Sequence, residues 1–307
     1  MAIFIDPPVW PAHETVFSHV ISDVSLQELH LFARNAAISD RAFDRDHYDV
    51  PAHRFDDLIA LGAIPVSGHE LARRLSGSGL RVKARERPEK VRRGLLHRWQ
   101  KLSGHANDDA AREAWETVGR DLLARWSEPH RHYHALPHLV SVLRVSSLLE
   151  RSGEVGEVES RLVALAGWFH DAVYAGAAGQ DEEDSAQLAQ QRLDTLLPDV
   201  EISEVTRLVR LTATHTPRAG DVAGAVLSDA DLEVLGRDRA EYRRYATQVR
   251  ADYAHVPEEN FSAGRVHVLQ GLLSSTKLFH TSTGYSLWEA AARRNVEAEL
   301  NELERGG

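Results

Sequence analysis

Leu162-Val163-Ala164-Leu165-Ala166-Gly167-Trp168-Phe169-His170-Asp171-Ala172-Val173-Tyr174 decides how the larger part of this chain is read. Leu162, Val163, Leu165, Ala166 and Phe169 form a helix that is apolar almost all round, and such a helix is buried. It then delivers His170 and Asp171 side by side at the edge of a core. Buried polar groups need partners, and a divalent cation satisfies both at once. Neighbouring residues on a helix diverge by about 100°, so both reach one ion only near the helix end, with help from other helices.

The helical pattern extends on both sides. Trp115, Val118, Leu122, Leu123 and Trp126 share one helix face that stops near Pro129, and Pro137 suits the first turn of the next helix, through Leu139, Val142, Leu143 and Leu149. Further helices are expected at 185–196, 202–212, 232–235, 240–253, 263–274 and 287–303, with hardly any strand-like alternation. Residues 92–307 therefore read as an all-α domain. Residues 1–85 read as a small α/β domain, giving an α+β chain overall. Ala2–Asp6 and Ala63–Val66 are its strand candidates, and Ser25 with Glu28 and Ser67 with Glu70 are capping boxes opening helices. Charged residues and Pro88 mark a boundary near residues 83–92. The basic run from Arg81 to Lys101 reads as a solvated linker and helix face rather than a polyanion site.

Composition narrows the function classes. The 307 residues are 43% hydrophobic and 27% charged, as in a globular protein. No apolar run approaches the roughly 20 residues of a bilayer span, so no membrane partner is expected. The first residues lack a signal-peptide pattern and there are no cysteines, which points to a cytoplasmic protein and removes thiolates as metal ligands. A net charge of −10 argues against a general nucleic-acid binder.

Partners for His170 and Asp171 are His138, early in its own helix, and Asp231 or Asp229 in Leu227-Ser228-Asp229-Ala230-Asp231-Leu232. These nitrogen and oxygen donors leave positions open for water and a phosphate oxygen. In this order the chain resembles the HD superfamily of metal-dependent phosphohydrolases. The resemblance runs through Arg131–His138, Ala166–Tyr174, Asp181–Ala186, Thr212–His215 and Asp229–Gly236, and covers roughly residues 92–285. It implies His138, His170, Asp171 and one aspartate as ligands of a divalent ion such as manganese, iron or magnesium. The resemblance favours Asp231, in its Ala230-Asp231-Leu232 step, with Asp229 as the alternative or a supporting group; residues two apart on a helix face nearly opposite ways, so both do not ligate one ion. It also implies catalytic parts for Asp171, for His215 or His134 as acid or phosphate clamp, and for Glu182 near the site. The pattern departs at residue 181, where Asp replaces an expected Asn.

The activity so implied is hydrolysis of a phosphate ester or anhydride, in a nucleotide or related small molecule. Competing readings are a di-iron oxygenase and a non-catalytic, metal-stabilised sensor or binding module. Tyr242, Tyr245 and Tyr253 with Arg250 and Arg265 serve packing and ion pairs, or phosphate recognition. In the first domain, Asp6, His13, His19, Asp44, Asp46 and His47 either cluster at a strand end as a ligand site or are turn residues pairing with Arg41 and Arg45.

Overall fold

A computed structural model describes residues 2–12, 15–81, 88–104, 108–177 and 179–306. The chain forms two compact units, Met1–Val91 and Arg92–Gly307. Among the described residues no helix is long and apolar enough to cross a membrane.

The first unit is a five-stranded sheet with helices. Strand β1 (Ile3–Ile5) pairs antiparallel with β3 (Thr15–Ser22) and parallel with β5 (Ile64–Pro65). Strands β2 (Trp10–Ala12) and β4 (Tyr48–Pro51) both pair antiparallel with β3. Side chains alternate across a sheet, and here both faces are used. Ile3, Ile5, Val20, Tyr48 and Val50 pack with Leu29 and Ala33 of α1 (Leu26–Asn35) and Leu58 of α2 (Phe55–Ala60). Phe4 and Ile21 pack with Leu71 and Leu75 of α3 (Gly68–Gly77).

The sequence pattern marks β1 and β5 and leaves β2, β3 and β4 unmarked. The reason is visible in β3, where Val20, Ile21 and Ser22 are all buried, so no polar face announces the strand. The capping boxes are each half present. Ser25 and Ser67 accept from the backbone N–H of Glu28 and Glu70. Glu28 turns instead to Ser22 Oγ and Ala2 N, and Glu70 to Arg73 and Arg74.

The second unit is helical throughout its described residues. Its helices are α4 (Pro88–Lys101), α5 (Asp109–Arg125), α6 (Leu136–Arg151), α7 (Glu157–Phe169), α8 (Gln180–Leu193), α9 (Asp199–Leu211), α10 (Val222–Leu232), α11 (Arg239–Asp252), α12 (Glu258–Ser274) and α13 (Ser282–Gly306). Helix α4 lies in the basic run and buries Leu95 and Trp99 while its basic residues stay exposed. Trp99 stacks on Trp115 at 4.5 Å, and each indole N–H donates to the other's backbone carbonyl. The short helix expected at 232–235 is the tail of α10, continued by a 3₁₀ turn at Glu233–Gly236. Asp221 caps the start of α10 by accepting from Gly224 N–H.

Helix α7 is the buried element its sequence calls for: Val163, Leu165, Ala166, Trp168 and Phe169 have no exposed surface. Gly167 lets α6 approach closely, since a Cβ there would sit 3.2 Å from Val142. The Trp126 indole donates to Trp168 O at 2.9 Å, satisfying a carbonyl that the end of α7 leaves open.

Candidate metal centre

Three helices bring their ends to one point. The first turn of α6 contributes His138, the end of α7 contributes His170 and the following Asp171, and the last turn of α10 contributes Asp231. His138 Nε2 lies 2.9 Å from Asp231 Oδ1, 3.2 Å from His170 Nε2 and 3.6 Å from Asp171 Oδ2. His170 Nε2 is 3.1 Å from Asp171 Oδ2 and 3.6 Å from Asp231 Oδ1. Both imidazoles are buried, and Tyr133 and Trp126 pack against them.

The chemistry of these donors fits a divalent cation. His170 Nδ1 faces the Gly167 carbonyl at 3.0 Å, and a carbonyl can only accept, so the proton sits on Nδ1 and Nε2 is the ligand atom. Burial would raise the Asp171 carboxyl, but His170 and His134 hold it down at about 2. Burial likewise works against ionised Asp231, yet His170 and His138 keep it well below the usual carboxylate range. Burial lowers His138, whereas in His170 the pull of Asp171 and Asp231 overcomes burial and raises it well above its ordinary value. With both imidazoles neutral at Nε2, as ligation requires, the two carboxylates carry the negative charge of the cluster, and a divalent ion balances it. Left uncompensated, buried charge costs several kcal/mol.

The other expected site residues divide into two near the cluster and two turned away. His215 borders it, with Nε2 3.7 Å from Asp231 Oδ2. Its backbone is left-handed (φ 52°) at the turn after α9, and its carbonyl accepts from His280 Nε2. A left-handed non-glycine residue costs about 1–3 kcal/mol and persists where its surroundings fix it. His134 also adjoins the cluster, its ring 5.8 Å from that of His138 and stacked on Tyr174 at 4.3 Å.

Asp229 and Glu182 depart from their expected places. Asp229 points away from the cluster and accepts from His280 N, Thr281 N and Thr281 Oγ1 at 2.7–2.9 Å. The 100° helical step forces this, because Asp231 two residues on already faces the ligands. Glu182 accepts from Gly179 N–H at 2.6 Å, satisfying a free donor at the start of α8. Its neighbour Asp181 accepts from the N–H groups of Ala175, Gly176 and Ala177, so it shapes the loop after Tyr174.

Two residues that organise the site were not singled out from the sequence. Arg131 is buried and donates to the carbonyls of His134, Asp171 and Ala172, clamping the chain on either side of the cluster. Asp252, at the end of α11, accepts from the backbone N–H of His132, Tyr133 and His134 and from His134 Nδ1 at 2.7 Å. Asp252 lies about 120 residues from its partners, so no local pattern reveals it. Arg250 and Arg265 are committed to Glu258 and to Glu299 with Tyr245, in line with packing and ion pairs.

Asp252→Asn is expected to cost about 2–3 kcal/mol, since several donors lose a charged acceptor. Burial opposes its ionisation, but His134 and the backbone donors lower its pKa below the ordinary value. The stabilisation is therefore present above the unfolded pKa of about 4 and disappears as pH falls through the lower folded value. Urea denaturation from pH 7 to pH 3 should show wild type and variant converging in acid; a constant gap would refute the ionic account.

Residues 3–78 match a family model described as a protein of unknown function, DUF4031. No HD-superfamily model matches the helical unit, so that resemblance rests on the sequence blocks themselves. No curated protein and no solved structure matches the chain.

Proposed function

We propose that the helical unit is a metal-dependent phosphohydrolase acting on a phosphate ester or anhydride of a small molecule, with nucleotides the first class to test. The observation that carries this reading is the meeting of His138, His170, Asp171 and Asp231 from three helices around one buried point. A divalent cation there supplies positive charge for a phosphoryl oxygen and acidifies a water molecule.

The remaining roles belong to the protein. His134, with Nδ1 tied to Asp252, has Nε2 left to pass a proton to a leaving oxygen. Tyr174 beneath the ring and Asp252 behind it keep that nitrogen in one orientation. His215 Nε2 stands 3.7 Å from Asp231 Oδ2, at the edge of the cluster. Tyr133, His138, Arg237 and Arg244 line a cavity of about 100 Å³; Arg237 is paired with Glu233, so Arg244 is the guanidinium that suits a phosphate-bearing ligand. A second cavity of about 390 Å³ is lined by His134, Tyr245, Tyr253 and Phe261, whose aromatic surface suits the non-phosphate part of a substrate.

The test is phosphate release from a panel of nucleoside mono-, di- and triphosphates and simple phosphate esters, with added manganese, iron or magnesium. Metal-dependent release from at least one class, abolished by a chelator, is the expected result. Full metal loading with no release from any of them would move the assignment to a metal-stabilised binding module.

A further inference from the structure

The sheet of the first unit carries a second constellation that the helical site does not use. The register places His19 of β3 directly opposite Asp49 of β4. Asp6 follows β1, and its N–H bonds to His19 O, so Asp6, His19 and Asp49 form one row across three adjacent strands. They occupy the same face because side-chain direction repeats every second residue. His47, just before β4, completes the group, with its ring 4.9 Å from that of His19.

The hydrogen bonding within the row is directional. Asp6 Oδ2 accepts from His19 Nδ1 at 2.9 Å and from the Trp10 indole at 3.1 Å, while Oδ1 accepts from His19 N at 2.6 Å. Asp46 Oδ1 faces His47 Nδ1 at 2.5 Å. Each imidazole is thus pinned at Nδ1 by a buried carboxylate, which leaves Nε2 as the ligand atom. Both Nε2 atoms aim at Asp49 Oδ1, at 3.6 Å from His19 and 3.4 Å from His47. Those separations are long for hydrogen bonds. The 3.4 Å separation equals, and the 3.6 Å one slightly exceeds, the spacing of about 3.3–3.4 Å between ligand atoms on a tetrahedral ion with bonds of about 2.0–2.1 Å, and the three ligand atoms lie within 4.8 Å of one another. Asp49 is 43% exposed and, with Trp10, His69 and Arg81, borders a cavity of about 620 Å³.

We propose that the first unit binds a divalent transition-metal ion through His19 Nε2, His47 Nε2 and Asp49, with Asp6 and Asp46 orienting the two imidazoles. Two histidines and one carboxylate leave coordination positions open, and these face the cavity, where an exchangeable ligand enters. Imidazole donors favour zinc, iron(II), cobalt or nickel over magnesium or calcium. The site is independent of the helical one and supplies a chemistry for a unit whose family model carries no function.

The test uses the full chain carrying His170→Ala, so that the helical site is disabled. Cobalt(II) titration in competition with a chelator should give one ion per chain with a ligand-field absorption band. Adding Asp49→Ala should weaken binding at least 100-fold, and the near-isosteric Asp46→Asn should weaken it about 10–100-fold, as lost orienting partners do. Asp49 is exposed enough for its truncation to spare the core, which far-UV circular dichroism checks. Uptake of no ion by the His170→Ala chain, or unchanged affinity after Asp49→Ala, would overturn the proposal. The helical-site reading fails on a different observation, namely equal metal uptake by wild type and His170→Ala.

Discussion

His170→Ala is expected to abolish metal binding at the helical site and to reduce phosphate release by about 10³-fold or more. The magnitude follows from what a bound cation contributes to phosphoryl chemistry: several kcal/mol of charge stabilisation, at about 1.4 kcal/mol per tenfold in rate. His170 is 1% exposed and lies within 3.6 Å of every other ligand, so no neighbouring side chain can substitute for it. The loss should also show in stability. Ligand at 100 times its dissociation constant stabilises a folded protein by about 2.7 kcal/mol, so chelation should lower the melting temperature of the wild type by more than that of the variant, which keeps only the ion of the first unit. Elemental analysis beside thermal melts, with and without chelator, reads both effects. Turnover retained in His170→Ala together with metal uptake equal to that of the wild type would refute the assignment.

Asp229→Ala and Asp231→Ala should fail in opposite ways although the two residues are two apart in the same helical turn. Asp229 is fully buried and anchors the segment that precedes α13 through His280 and Thr281. Burial raises its pKa while those donors work the other way, which is the signature of a carboxyl held in the interior by hydrogen bonds. Removing it strands buried donors at about 1–3 kcal/mol each, so Asp229→Ala should cost about 3–5 kcal/mol in urea denaturation. The fraction that folds should still bind metal. Asp231→Ala should lose the metal with a much smaller loss of stability in the metal-free protein, because it relieves the repulsion between two buried carboxylates. Loss of metal by Asp229→Ala at wild-type stability would reverse the two roles.

How far the sequence was legible depended on the range of the interaction involved. Helix α7 was read because its signal is local: residues all on one segment, apolar on every side, ending in His170 and Asp171. Pro137 and the face of Trp115 and Trp126 gave α6 and α5 for the same reason. Helical geometry lets only one of Asp229 and Asp231 face the cluster, and the resemblance in the Ala230-Asp231-Leu232 step is what points to Asp231. Strand β3 is hidden because Val20, Ile21 and Ser22 are buried on both faces, which erases the alternation that marks a half-exposed strand, and β4 alternates but spans only four residues. Glu182 was misplaced because proximity in sequence to a site block does not say which way a first-turn side chain turns. Its free oxygen closes on Gly179 N–H instead.

By itself the sequence determined which residue types could hold a metal, that two of them adjoin at a buried helix end, and that a helical region follows a smaller mixed one. Each follows from spacing and hydrophobicity within a window of some 10–20 residues. Tertiary structure alone decided that His138 and Asp231, 93 residues apart, meet at 2.9 Å, and that Asp252 holds the His134 loop. It alone aligned Asp6, His19 and Asp49 in one row across three strands. The physical reason is common to all three. Strand register and helix packing are set by cores such as Val142 against Gly167 and Ile5 against Val20, and polar side chains are carried into contact by those apolar fits.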